Sequence, residues 1–224
     1  MGKIANLKEY LDAYSEEGEK VGTKEKKKFH EESRKEFHKK GRVSLRHKHV
    51  RLLLLNSKGR TILQRRSKWK GDNAGLWDKT IGGHVSSEDS YDLTVLKECA
   101  EELGIPATVV KEDEFDKAVS KTNLHILAIL KKLEYLDSYN SKRLAADGKH
   151  WIEPSMTHFY IGYYDGPIRF VDGESCGLQV FTTEELAEGL KENPEHFTTD
   201  VHYIFKKYRN LFKPIQKNKY MLSD

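Results

Sequence analysis

Apolar and polar positions alternate in two short runs at the start of the chain. EYLDAYSEEGEKVGT reads as two extended segments around a turn at Glu16-Glu17-Gly18-Glu19, a hairpin. Thr23 is placed to cap a following helix that runs to about Lys40, where Gly41 stops it. HVRLLLLNSKGRTILQRRS then gives a buried apolar strand, a turn over Asn56 to Gly59, and a second strand in which Ile62 and Gln64 alternate with Leu63. Further on, NLHILAILKKLEYLDSY suits a helix, a buried strand or both, ahead of a turn at Asp147-Gly148. No internal repeat is present.

Between these runs lies GGHVSSEDSYDLTVLKECAEELGI, residues 82–105. Laid out at about 100° per residue, Leu93, Leu96, Ala100 and Leu103 share one arc, and Glu98, Glu101 and Glu102 fall on the other side. Ser90 suits the N-cap and Gly104 the residue that ends the helix. Clustered carboxylates repel, and near a helix C-terminus the macrodipole disfavours them further. A hard divalent cation, which takes oxygen ligands, offsets both effects. Gly82 and Gly83, just upstream, let a backbone carbonyl approach a metal or a phosphate approach the backbone. The expectation is an ion on Glu98, Glu102 and Glu101, Mg2+ first and Mn2+ second, assisted by a carbonyl at Gly82 or Gly83. An acidic solvated face is the ordinary alternative.

The 224 residues can bury a core and fit one domain with extensions. No apolar run approaches the roughly 18 to 20 residues that span a bilayer, and the start of the chain lacks the apolar stretch of a signal peptide. A membrane partner is therefore not expected, and the cytoplasm is the default location. Two cysteines, Cys99 and Cys176, make neither a disulfide framework nor a spaced metal pair. Cys99 reads as a small buried filler, having no histidine placed to activate it. The net charge of +4 is uneven, with twelve Lys or Arg against four Glu between Lys24 and Arg51. Such a segment has the charge to contact RNA, but the interleaved Glu and the lack of an aromatic stacking pattern favour a solvated helix whose Phe29 and Phe37 pack inward. Nucleic acid is thus a less favoured partner. Trp69, Trp77 and Trp151 read as core rather than as base platforms.

Gly83, Asp89 and Lys97-Glu98-Cys99-Ala100-Glu101-Glu102-Leu103-Gly104-Ile105 resemble the box of the Nudix hydrolases, with its spacing intact. Three positions depart: Asp89 stands for Glu, Lys97 for Arg, and Cys99 for an aliphatic residue. Lys97 keeps the charge within reach of Glu101 but lacks the two-pronged fork of a guanidinium. The stretches EYLDAYSEEGEKVG, GLWDKTIGGHV and LQVFTTEELAEGLKENPEHFTTD extend the resemblance to the subgroup related to isopentenyl-diphosphate isomerase. The resemblance implies an α+β fold, an α/β/α sandwich on a mixed sheet, preceded by a hairpin and a basic helix. It divides the chain into an extension over 1–45, the domain over 46–212 with a helical or hairpin insertion near 106–155, and a tail over 213–224.

The activity so implied is Mg2+-dependent hydrolysis of a diphosphate linkage in a nucleoside diphosphate derivative or related small molecule. Glu98 and Glu101 would be catalytic; Glu98, Glu101, Glu102 and Gly83 would bind metal; Gly82, His84, Asp89 and Lys97 would support them. The isomerase alternative is weaker, because Gly82 occupies the position of the isomerases' catalytic Cys. His84 matches one of their metal-binding histidines and His49 suits a second, while Arg42 stands where another is expected. Glu153 matches one of a pair of their glutamates and Ser155 replaces the other. Read from its neighbours alone, His84 is an ordinary loop residue. Glu153 and Glu174 remain as distal carboxylates, and the oligomeric state is open.

Overall fold

The computed structural model describes residues 8–170, 173 and 175–215. Strands β1 (Tyr10–Tyr14) and β2 (Lys20–Glu25) form the expected antiparallel hairpin, with Leu11 opposite Lys24. Helix α1 (Lys26–Lys40) follows and ends where Gly41 takes a left-handed φ of 74° and returns its N–H to the Phe37 carbonyl. Its start differs from the expectation. Thr23 lies in β2, and its hydroxyl donates across the hairpin to Asp12 at 2.8 Å, so it has no role at the helix terminus. Under the hairpin, Leu11, Ala13 and Phe29 make a small apolar cluster that seats α1.

The main sheet contains β3 (His47–Leu55), β4 (Thr61–Arg66), β5 (Trp77–Asp78) and β6 (Ile81–His84). Helix α2 (Tyr91–Leu103) comes next, then β7 (Ala107–Val109), α3 (Phe115–Lys121), β8 (Ala128–Leu144) and β9 (His150–Tyr163). Strand β10 (Ser175–Phe181) and helices α4 (Thr183–Glu192) and α5 (Thr199–Tyr208) complete the order. The strands run β10-β4-β3-β9-β8-β7, with β5 on β4 and β6 on β3. The β3/β9 and β7/β8 pairs are parallel and the others antiparallel, which makes the sheet mixed.

Alternation along β3 sorts the core into two layers. Val50, Leu52 and Leu54 pack with Val95, Cys99 and Leu103 of α2, whereas Leu53 and Leu55 join Phe115 and Val119 of α3 and Val201, Ile204 and Tyr208 of α5. Helices on both faces give the α/β/α sandwich. Coverage of both faces also resolves the ambiguous apolar stretch: Ala128, Ile129 and Leu130 are all buried, as in a central strand, and their run has no helical period. From there β8 and β9 form a long hairpin that turns over Asp147 and Gly148, where Lys149 N–H donates to Asp147 Oδ1 at 3.0 Å. Among the described residues no helix is long and apolar enough to cross a membrane.

Candidate active site

Helix α2 is capped as its ends require. Ser90 Oγ accepts the Leu93 N–H at 3.1 Å, and Gly104 closes the helix with φ 63°. Its buried face is Thr94, Val95, Cys99, Glu102 and Leu103, while Leu93 is 47% exposed and Ala100 is also exposed. The helix is therefore rolled by about a third of a turn from the arc that its leucines suggest. The roll places Val95 and Cys99 against β3 and brings two of the three glutamates to the sheet.

Glu98 lies directly on Gly83 of β6. A Cβ at position 83 would sit 2.5 Å from Glu98 Cγ and closer still to the carboxylate, so only glycine admits this crossing. Glu102 is buried, with Oε2 at 3.5 Å from Gln64 Nε2. Glu101 is exposed at the mouth of the same cleft. Lys97 does not hold Glu101: its ammonium donates to Asp89 at 3.0 Å, so two of the positions that depart from the box pair with each other. That hydrogen bond, followed by the charges of Asp89, Glu101 and Glu98, raises the Lys97 pKa. Burial, then Glu102 and Glu98, push the Cys99 thiol far above its ordinary range, which leaves it inert as a nucleophile.

The three glutamates line a cleft of about 390 Å3. Lys26 and His30 of α1 form one wall, and Arg66, Lys79, Arg143 and Glu153 contribute from the sheet. At its edge, His30, His84 and Glu153, with His47 behind them, offer ligand atoms that all lie within 4.8 Å of one another. Glu153 Oε1 is 3.1 Å from His30 Nε2, 3.4 Å from His47 Nε2 and 3.7 Å from His84 Nε2. Its other oxygen is held by Arg143 Nε at 2.7 Å and by Nη2. Burial alone would raise the Glu153 pKa, but Arg143 and the three imidazoles hold it well below the usual carboxylate range. Burial depresses the pKa values of His47 and, more strongly, His84 and His49.

This group corrects the reading of the histidines. His84 is a strand residue that faces a carboxylate, and His47 rather than His49 joins it. His49, two residues along β3, packs instead over Gly82, within 3.3 Å of where a Cβ would be. The extra histidine comes from α1 as His30, whereas Arg42 lies on the surface beside Glu16. Ser155, where a second glutamate was expected, is buried and bonds Thr157 and Arg51. Glu174 lies outside the described residues. No local signal marks His30, which sits inside the basic run, and His47 is hidden by a better-looking neighbour.

Gly82 has its own reason. A Cβ there would meet Lys79 Cε at 2.5 Å and Nζ at 2.8 Å, so the Lys79 side chain fills the room a larger residue would need. Lys79 Nζ is bound by Asp200 at 2.8 Å and Asp78 at 3.2 Å. Asp200 also takes Arg51 Nε at 3.0 Å, with Tyr139 and Ser141 on its second oxygen. In the basic segment Phe29 is buried and Phe37 partly so, while Lys24, Lys28 and Lys40 pair with Glu32 and Glu36, as a solvated face would have it. Trp151 is in the core and Trp77 packs on Phe181, but Trp69 is 95% exposed, contrary to its reading as core.

A family model, the NUDIX domain, matches residues 45–201. The chain belongs to the Nudix hydrolase family. Among curated proteins it is 25% identical over 154 residues to an isopentenyl-diphosphate Delta-isomerase of Serratia proteamaculans, covering 69% of this chain and 72% of that one. It is also 39% identical over 61 residues to an uncharacterized Nudix hydrolase of Pseudomonas aeruginosa, covering 27% and 36% respectively. Among solved structures, DR0079 from Deinococcus radiodurans aligns with TM-score 0.57 at 20% identity, covering 89% of this chain and 98% of that one. This last likeness supports the fold.

Proposed function

We propose that the protein is a Mg2+-dependent hydrolase of a diphosphate linkage in a nucleoside diphosphate derivative or a related small molecule. The observation that carries this reading is the crossing of Glu98 over Gly83, a cradle that any side chain at position 83 would fill. The donor set fits a hard cation, being the carboxylate oxygens that α2 brings to the cleft. Glu98 and Glu102 would hold Mg2+ or Mn2+, with the Gly83 carbonyl and Glu101 completing the protein's share. When bound, the ion neutralises diphosphate charge and lowers the pKa of a coordinated water. Glu101, exposed at the cleft mouth, accepts the proton of the attacking water. Lys97 and Asp89 position the outer side of α2 through their ion pair. Lys26 and Arg66, across the cleft, orient the anionic substrate. The test is a phosphate-release screen over diphosphate compounds with Mg2+ or Mn2+, with Glu98→Gln as control. Absence of hydrolysis across the whole library would overturn the reading.

A second reading, an isomerase acting on isopentenyl diphosphate, draws on the His30, His47, His84 and Glu153 group and on the isomerase relatives. It ranks lower because Gly82 supplies no acid or base at a carbon centre, and Lys79 fills the space beside it. Incubation with isopentenyl diphosphate is expected to give no dimethylallyl isomer; detection of that product would reverse the ranking.

A further inference from the structure

We propose that Trp69, at the rim of the cleft, is the platform on which a nucleobase of the substrate stacks, and so selects a nucleotide over a diphosphate that lacks a base. The inference rests on the hydrolase reading and extends its cleft outward.

The cleft itself offers a base little to lie on. Its walls are charged or polar side chains and glycine, and among the described residues that line it there is no Phe, Tyr or Trp. The imidazoles of His30 and His84 are turned to Glu153, and that of His49 lies over Gly82. Such walls suit a diphosphate. A nucleobase is a flat ring that binds through its face, and an aromatic side chain is the surface that matches it. That surface has to come from beyond the walls.

Trp69 stands in the right place. Ser67 to Lys70 form a turn closed by the Lys70 N–H on the Ser67 carbonyl at 3.1 Å, and the Trp69 N–H reaches Ser67 Oγ at 3.3 Å. Lys70, Gly71 and Asp72 line the cleft, so Trp69 is one residue outside it. Adjacent Cα atoms are about 3.8 Å apart, a step comparable with the ribose that separates a base from its diphosphate. Trp69 is 95% exposed, although tryptophan is on average a highly buried residue, and nearly its whole ring is open to a ligand. Lys68 and Lys70 flank it with positive charge that favours the approach of an anion.

The turn is also held in position. Arg66 donates from Nε and Nη2 to the Asp72 carbonyl at 3.1 and 2.8 Å. The Asp72 carboxylate accepts Trp151 Nε1 at 3.1 Å and Arg34 Nη2 of α1 at 3.2 Å. Asn73 donates its N–H to the Leu144 carbonyl and accepts the Leu144 N–H on Oδ1, both at 2.8 Å. Anchored to α1 and to the β8/β9 hairpin, the segment presents its tip without a large ordering cost on binding.

The experiment is equilibrium binding to the full chain in excess Mg2+, by calorimetry and indole fluorescence. The probes are ADP, UDP and ribose 5-diphosphate, which lacks the base. ADP is expected to quench a fluorescence component that Trp69→Phe removes. Trp69→Ala should weaken ADP by about 5- to 150-fold, the range of one base–aromatic stack, and Trp69→Phe should restore most of that loss. Ribose 5-diphosphate should bind Trp69→Ala and the wild type alike, and the preference for ADP over UDP should narrow in Trp69→Ala. The proposal is overturned if ADP binds no more tightly than ribose 5-diphosphate, if Trp69→Ala binds ADP as the wild type does, or if it loses both ligands equally. None of these readouts is turnover. Base-dependent binding through Trp69 with no phosphate release from any diphosphate would refute the hydrolase reading and leave the platform standing.

Discussion

Replacing Gly83 by Ala tests the site with a single methyl group. The added Cβ would stand 2.5 Å from Glu98 Cγ and closer still to its carboxylate, against 3.4 Å for the shortest ordinary contact, so the side chain must withdraw by at least about 0.9 Å or change rotamer. Misplacing a catalytic group by about 1 Å can cost roughly 100-fold in rate, or about 2.7 kcal/mol of transition-state stabilisation. Folding should be nearly indifferent. Gly83 is not among the glycines with positive φ, so Ala is allowed there, and its smaller unfolded-state entropy, about 0.4–1 kcal/mol, offsets part of the local strain. The thermal midpoint should stay within about 4 °C, while kcat at saturating Mg2+ on the best diphosphate substrate falls about 100-fold. Full activity in Gly83→Ala would show that the carboxylate on this glycine is not part of the machinery.

Three further outcomes are expected. Glu98→Gln and Glu102→Gln should each cut turnover by orders of magnitude with an equal or higher melting midpoint in the metal-free state, since each removes one of several clustered charges; steady-state kinetics and calorimetry read the two effects separately. Lys97→Met should lower turnover severalfold and barely move the midpoint, because the pair it breaks with Asp89 is partly exposed; parallel kinetics that match the wild type would remove Lys97 from the supporting set. Asp200→Asn should destabilise by about 3–5 kcal/mol, since it strips the buried Arg51 and Lys79 of their shared counter-charge, and chemical denaturation would show it as a lower midpoint.

What could be read in advance was local. The hairpin, the stop at Gly41 and the caps of α2 depend on residues within a few positions of one another, and side chains of the right type announce them. The phase of α2 could not be read the same way. Leu93 and Ala100 look like core, yet the helix is oriented by what Glu98 and Val95 meet on β6 and β3, a tertiary matter on which periodicity is silent. The strand character of residues 128–144 depended likewise on coverage from both sides. The box located the glutamates, but the histidine group combines His30 with Glu153 from segments far apart along the chain, and only one of its imidazoles, His84, lies within a motif.

The clamp of Asp200 on Arg51 and Lys79 bears on the order in which the protein is assembled. Arg51 and Asp200 are separated by 149 positions, and both are fully buried. As the chain emerges from the ribosome, β3 is available long before α5; Lys79 has a counter-charge in the adjacent Asp78, but Arg51 cannot enter the interior without Asp200 except at a cost of several kcal/mol. Burial of Arg51 in the middle of the sheet is therefore unfavourable until the first turn of α5 arrives. Helix α5 thus closes the interior: a nascent domain that has made its glutamate face still lacks the counter-charge of Arg51 until residue 200 is delivered.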